Sequence, residues 1–251
     1  MKRQKEQAER NSRLTAMGEM AARIAHEIRN PLGSIELFAS ILQREIADEN
    51  QKRLVNHISS GVKNLNHVIS NLLTFTRQPK PVFKEIDLHK FLDNLLQFGE
   101  FLMDKNNIRL EREYYPSLLS APGDEELLKQ VFLNIIRNAV QAMHEGGVLK
   151  VKTGVGEKGR NDKPPHLDRR AFPTRCGGKY IEIKVSDTGA GIAKDNLDKI
   201  FNPFFTTRDK GTGLGLAIVH TIIESHNGII EVESDVGKGT TFTILLPKTK
   251  I

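Results

Sequence analysis

The stretch Tyr180-Ile-Glu-Ile-Lys-Val-Ser-Asp187-Thr-Gly189-Ala-Gly191 decides how the second half of the chain is read. Apolar and polar side chains alternate through residues 180–186, the period of a strand with one buried face. Asp187 closes that strand, and two glycines within the next four residues permit a tight turn and close backbone approach. Working outward, strand-like runs recur at Ile108–Tyr115, Val148–Gly154, Ile229–Ser234 and Thr240–Leu246. Helical periodicity marks Leu88–Met103, Glu125–Met143 and Leu214–His226, with Asp124 placed to cap the second of these. Strands and helices in this order, without strict βαβ repetition, predict an α/β sandwich around a mixed sheet. Residues 157–178 are polar, basic and rich in Pro and Gly, and read as an inserted surface loop.

The N-terminal third follows a different rule. Leu14, Met17, Ala21, Ile24, Ile28, Leu32, Ile35, Ala39, Leu42 and Ile46 recur in steps of three and four, a heptad stripe. A polar break at 47–51 allows a helix–helix turn, and Leu54, Ile58, Gly61, Leu65, Val68, Leu72 and Phe75 continue the pattern. A lone hairpin covers only part of each stripe, so two copies packed as a four-helix bundle are the economical solution. The expectation is therefore a homodimer through residues 14–77. Thr76-Arg-Gln-Pro-Lys-Pro-Val-Phe83 breaks the helix. The chain divides on this reading into a hairpin at 1–77, a linker at 78–86 and an α/β domain at 87–251. The fold class is α+β.

Composition narrows the function classes. Of 251 residues 38% are hydrophobic and 27% charged, ordinary globular material. No run approaches the roughly 18 apolar residues of a membrane span, and the start lacks the apolar region of a signal peptide. A single cysteine, Cys176, excludes an internal disulfide and fits a reducing compartment. The net charge of +6 sits mostly in residues 1–80, which hold 13 Lys and Arg against 8 Asp and Glu. Those charges are interleaved along helices and not gathered with aromatics, so nucleic acid is not expected as a partner.

Four short elements of the second domain converge on phosphate chemistry. Asn134 and Asn138 lie four apart on one helix face, and an amide oxygen is a hard donor suited to Mg²⁺; the pair alone is weak evidence, since paired asparagines on a helix surface are usually just solvated. Asp187 at a strand end can accept a hydrogen bond from an exocyclic amine such as that of adenine, or form a plain Asp–Gly turn. Phe201-Asn-Pro-Phe204-Phe205-Thr-Thr is an apolar knob leading into a polar loop. Gly211-Thr212-Gly213-Leu214-Gly215 opens a helix, and its free N–H groups form an anion cradle. No Lys-Ser/Thr pair follows, so this is not a Walker A loop, and its position rules out a Rossmann fingerprint.

In this order the four elements resemble the GHKL ATPases, which include gyrase, heat-shock chaperone ATPases, MutL-type proteins and histidine kinases. NIIRNAVQAM, DTGAGI, FNPFFTT, GTGLGLAI and the terminal GKGTTFTILLP match the histidine-kinase version. The resemblance implies ATP and Mg²⁺ as cofactors, with Asn134 and Asn138 in the Mg–ATP site and Asn138 the metal ligand. It implies that Asp187 binds adenine and that Gly189, Gly191, Gly211, Gly213 and Gly215 line the nucleotide. Phe204, Thr212 and Leu214 belong to the same matched boxes. The lid would span about 193–212, with Arg208 and Lys210 near the phosphates. One departure is that many histidine kinases carry a basic residue where this chain has Gln141, shifting phosphate neutralisation toward Arg137, Arg208 or Lys210.

His26 sits nearly opposite the heptad stripe, two residues from both Ile24 and Ile28, with Asn30 on its face and Glu27 at its flank. Alone it is an exposed histidine. His26-Glu-Ile-Arg-Asn-Pro31-Leu resembles the H-box of the HisKA dimerisation and phosphotransfer domain. That resemblance implies His26 as phosphoacceptor of a sensor histidine kinase and a receiver-domain aspartate of a response regulator as the next acceptor. An imidazole is a competent nucleophile when a carboxylate holds its other N–H, a role open to Glu27. Pro31 should kink or loosen the helix beside it. For Asn30 the resemblance implies positioning of a water that attacks the phospho-aspartate. A cytoplasmic location is expected, with membrane attachment only through a sensor region outside this chain, which on this reading is a fragment or a kinase whose sensor is not in this chain.

Overall fold

A computed structural model describes residues 27–76, 79–118, 120–158, 178–208 and 211–248. His26, Lys210, the start of the heptad stripe and nearly all of the 157–178 insertion lie outside the described residues. The chain forms two compact units, Met1–Gln78 and Pro79–Ile251.

In the first unit, α1 covers residues 27–45 and continues through Pro31. α2 spans Glu49–Thr76. The break is shorter than 47–51 because Asp48 Oδ1 accepts the Gln51 N–H at 2.9 Å and starts α2 three residues early. Leu32, Val62 and Ile69 form the buried centre of the hairpin, with Leu73 packed on it; Ala39 and Val55 are buried as well. Six residues of the stripe are not covered within one copy. Ile28, Ile35, Leu42, Leu54, Ile58 and Leu65 are 41–64% exposed.

The second unit is the expected sandwich. β2 (Ile108–Glu113), β4 (Gly147–Lys158), β5 (Gly178–Asp187), β6 (Ile229–Asp235) and β7 (Gly239–Pro247) form one sheet in the order β2-β4-β5-β7-β6. β2 pairs parallel with β4 and every other pairing is antiparallel. α3 (Leu88–Lys105), α4 (Glu125–Ala142) and α6 (Gly215–Ser225) pack as a helical layer against it. Ile181, Ile183 and Val185 of β5 are buried, as are Phe132 and Ile135 of α4 and Ile218 and Ile222 of α6. Asp124 caps α4 by accepting the Leu127 N–H, as its position predicts.

Three short elements escape the periodicity argument. β1 (Lys84–Asp87) pairs antiparallel with β3 (Ser120–Gly123), and α5 is the single turn Lys194–Leu197. The first three residues of β1 fall inside the stretch read as linker at 78–86, and the second compact unit starts at Pro79. Ile86 is its one buried side chain, too short a pattern to read as a strand.

Candidate nucleotide site

Asp187 is 8% exposed at the end of β5, opposite Thr240 of β7. Its Oδ1 accepts the Gly189 N–H at 2.8 Å. Burial raises its pKa above the usual carboxylate value, opposed by backbone hydrogen bonds from Gly189 and Thr240 and by the charge of Arg208. A desolvated acceptor held rigidly by its own turn discriminates strongly for a donor presented to it.

The loop after Asp187 lies on the C-terminal end of α4. A Cβ on Gly189 would stand 2.7 Å from both the Cβ and the carbonyl oxygen of Ala142, so only glycine fits this approach. The Ala142 carbonyl accepts the Ala190 N–H at 3.1 Å, and the Ala190 carbonyl accepts the Gly237 N–H at 2.8 Å. Ser234 Oγ accepts the Ile192 N–H at 2.8 Å. α4 and the β6–β7 turn thus hold the loop in place.

α4 carries the two asparagines. Asn134 is 7% exposed and its Nδ2 has no hydrogen-bond partner among the described residues. A Cβ on Gly215, at the start of α6, would meet its Oδ1 at 3.4 Å. Asn138, one turn on, is bridged to the 193–212 segment. Arg208 Nη1 donates to Asn138 Oδ1 at 3.1 Å and to Gln141 Oε1 at 2.6 Å, and Nη2 donates to the Asn138 carbonyl at 3.2 Å. Arg137 is exposed on the same helix.

The middle of the lid segment meets the glycine-rich loop that follows it. Gly213 has φ +66°, and a Cβ there would fall on the backbone of Phe204, itself at φ +64°. Thr206 Oγ1 accepts the Arg208 N–H at 3.1 Å, and the Arg208 carbonyl accepts the Gly211 N–H at 3.1 Å. Thr212 Oγ1 accepts the Leu214 N–H at 3.4 Å beside the first turn of α6. Phe204 is 57% exposed, whereas Leu214 is buried.

Contacts therefore join Asp187, Gly189, Asn134, Asn138, Arg208, Gly213 and Gly215 into one region, and Gly191 packs on the backbone of Asp235. Sequence reasoning did not single out Ala142, Ser234, Gly239 or Thr240. Gly239 has φ +104° and a Cβ there would fall on the Asp187 carbonyl; the GKGTT run was the one available signal. The donor set suits a magnesium nucleotide. It offers an orphaned buried amide N–H, a side-chain-free helix start, one guanidinium, a buried carboxylate for a base amine and the hard Oδ1 of Asn138.

Residues 123–250 match the family model described as histidine kinase-, DNA gyrase B- and HSP90-like ATPase. The chain belongs to that family. Residues 16–80 match the His Kinase A (phospho-acceptor) domain, which makes this a two-component histidine kinase catalytic core. The core is 36% identical to sensor histidine kinase ZraS of Escherichia coli K12 over 96% of the chain and 48% of that protein. It is 33% identical to sporulation kinase C of Bacillus subtilis over 96% of the chain and 51% of that protein. The chain thus spans about half the length of the curated relatives it matches.

Among solved structures, the complex of histidine kinase ThkA with response regulator protein TrrA matches with TM-score 0.62 and 28% identity, covering 98% of this chain and 66% of that one. Full-length ShkA with AMPPNP matches the fold with TM-score 0.74 over 93% of this chain and 46% of that one. Among the described residues no helix of this histidine kinase core is long and apolar enough to cross a membrane.

Proposed function

We propose that the chain autophosphorylates on His26 at the expense of ATP and passes the phosphoryl group to a receiver-domain aspartate. The observation that carries this reading is the joining of a buried Asp187, the Asn134–Asn138 pair and the glycine-rich start of α6 in one unit, behind a matched phosphoacceptor domain. Asp187 accepts the adenine amine. Asn134 and the first N–H groups of α6 donate to phosphate oxygens, where the positive end of the helix dipole favours an anion. Asn138 Oδ1 would hold Mg²⁺, which draws charge off the polyphosphate when bound. Arg208 supplies a guanidinium at the same helix face.

His26 attacks the γ-phosphorus with a ring nitrogen, the bond from that phosphorus to the bridging oxygen breaks, and ADP leaves. Glu27 accepts the proton side of the imidazole and keeps the attacking nitrogen's lone pair free. The phosphoryl group then moves from nitrogen to a carboxylate oxygen of the response regulator. In the reverse sense of signalling, Asn30 orients a water against that acyl phosphate and the core acts as a phosphatase.

The exposed half of the heptad stripe supports a homodimer through residues 14–77, since six apolar residues on one hairpin await a second copy. A cytoplasmic position, with any membrane attachment outside this chain, fits the same reading. With radiolabelled ATP the chain should acquire acid-labile, alkali-stable label, and His26→Ala should abolish it. Label that survives this substitution overturns His26 as acceptor.

A further inference from the structure

The environment of Arg208 shows how its charge is kept available. Among the described residues the three acceptors of its guanidinium are neutral: the Asn138 carbonyl, Asn138 Oδ1 and Gln141 Oε1. The Gln141 bond is the shortest, at 2.6 Å. Asn138 and Gln141 are three apart on α4 and share a face, whereas Arg208 arrives from 67 residues further along the chain. Two of the three bonds involve Asn138, whose Oδ1 is the donor a metal ion would claim. Gln141 is the anchor that does not compete with that role.

Position 141 is also constrained by charge. A carboxylate there would neutralise the guanidinium, and a second cation would repel it. A carboxamide orients it and leaves the whole charge for an anionic ligand. Among the described residues Asp187 is the acid whose charge acts on Arg208, and it lies at the base end of the site.

We propose that Gln141 is a positioning residue of the nucleotide site: it seats the lid's Arg208 against α4 beside Asn138, so that the guanidinium meets the polyphosphate there. Gln141 acts on nucleotide only through Arg208. The inference rests on the reading of this region as an ATP site.

Both side chains are exposed, so methionine replacements preserve the fold and remove only the polar ends. Binding of AMPPNP in the presence of Mg²⁺ is measured by calorimetry on the whole chain, for wild type, Gln141→Met, Arg208→Met and the double variant. Each single variant should bind about five- to tenfold more weakly, as expected for a charge-assisted hydrogen bond and an exposed phosphate contact. The double variant should bind no more weakly than Arg208→Met. Placing the cation on the helix instead, as Gln141→Lys together with Arg208→Met, should recover most of the loss. A Gln141→Met effect of the same size with and without Arg208 overturns the proposal, as does a Gln141→Met chain that binds like wild type. If the wild-type chain itself fails to bind AMPPNP, the ATP-site reading falls first and this inference with it.

Discussion

His226, the C-cap of α6, is 2% exposed and lies against Asp124, the N-cap of α4. The Asp124 N–H can only donate, so Nε2, 3.0 Å away, is the acceptor. Nδ1 therefore carries the proton and donates to the Ile222 carbonyl at 2.8 Å. The ring packs edge-on against Phe83 at 5.3 Å, and the Asp124 carboxylate accepts the Val82 N–H at 2.9 Å. One neutral imidazole thus ties α6, the cap of α4 and the segment entering the domain. Replacing it by phenylalanine keeps the ring and removes both polar bonds. The Ile222 carbonyl retains Ser225 Oγ at 2.7 Å and the His226 N–H at 3.1 Å, but the Asp124 N–H loses its acceptor. The cost of that orphan is about 1–3 kcal/mol, and we expect about 2 kcal/mol at pH 7.5. Burial lowers the His226 pKa below 6.5, against the pull of the Ile222 carbonyl and the Asp124 charge. Below 6.5 the unfolded chain binds the proton more readily than the native one. The stability due to neutral His226 is therefore full above pH 6.5 and fades as pH falls toward the lower folded value, by at most ~1.4 kcal/mol per pH unit. The chain has three tyrosines and no tryptophan, and Tyr114, Tyr115 and Tyr180 all lie in the α/β unit. Tyrosine fluorescence during urea unfolding thus follows this unit alone. The gap between wild type and His226→Phe should narrow to about 1 kcal/mol at pH 5.5. A gap that stays constant between the two pH values refutes the neutral-imidazole argument.

Three other outcomes are expected. Asp187→Asn should weaken AMPPNP binding at least about tenfold while leaving the tyrosine unfolding midpoint unchanged or higher, because a desolvated carboxylate is removed; undiminished affinity would count against its role toward the base. Gly213→Ala places a Cβ at φ +66° on the backbone of Phe204, a strain of roughly 1–3 kcal/mol. Calorimetry should show weaker nucleotide binding, and unaltered affinity would mean that the close approach of Gly213 to Phe204 is not needed for it. Asn30→Ala should slow dephosphorylation of the partner regulator while autophosphorylation persists, and an unchanged dephosphorylation rate would sink the water-positioning role.

The elements that were legible in the sequence are those whose side chains report their own environment. β5 alternates Ile181, Glu182, Ile183, Lys184, Val185 and Ser186 over one buried face, and α4 repeats Leu128, Val131, Phe132, Ile135 and Ala139 along one buried stripe. Each gives several turns or pleats of consistent evidence. β1 and β3 give four residues each, and β3 is Ser-Ala-Pro-Gly, a string that local propensity assigns to a turn. Their pairing is decided by tertiary contact. Gly123 lies against Leu128 and Ile86, so the two segments are pressed together by α4 and not by their own preference.

The site divides along the same line. Asp187, Asn134, Asn138 and the glycines could be found because each belongs to a contiguous string whose neighbours carry the signal. Arg208 was found as one of three candidate cations, with nothing in the sequence to rank it above Arg137 or Lys210. Its seat on α4 comes from a bond across 67 residues to Gln141, just as the tautomer of His226 comes from one across 102 residues to Asp124. Both are single polar contacts between distant strings, and neither leaves any periodicity behind. Gln141 entered the sequence argument only as a missing charge, yet in the fold the missing charge and the lid arginine are the same fact. The helix offers neutral acceptors where a cation would have stood, and that neutrality is what lets Arg208 settle there.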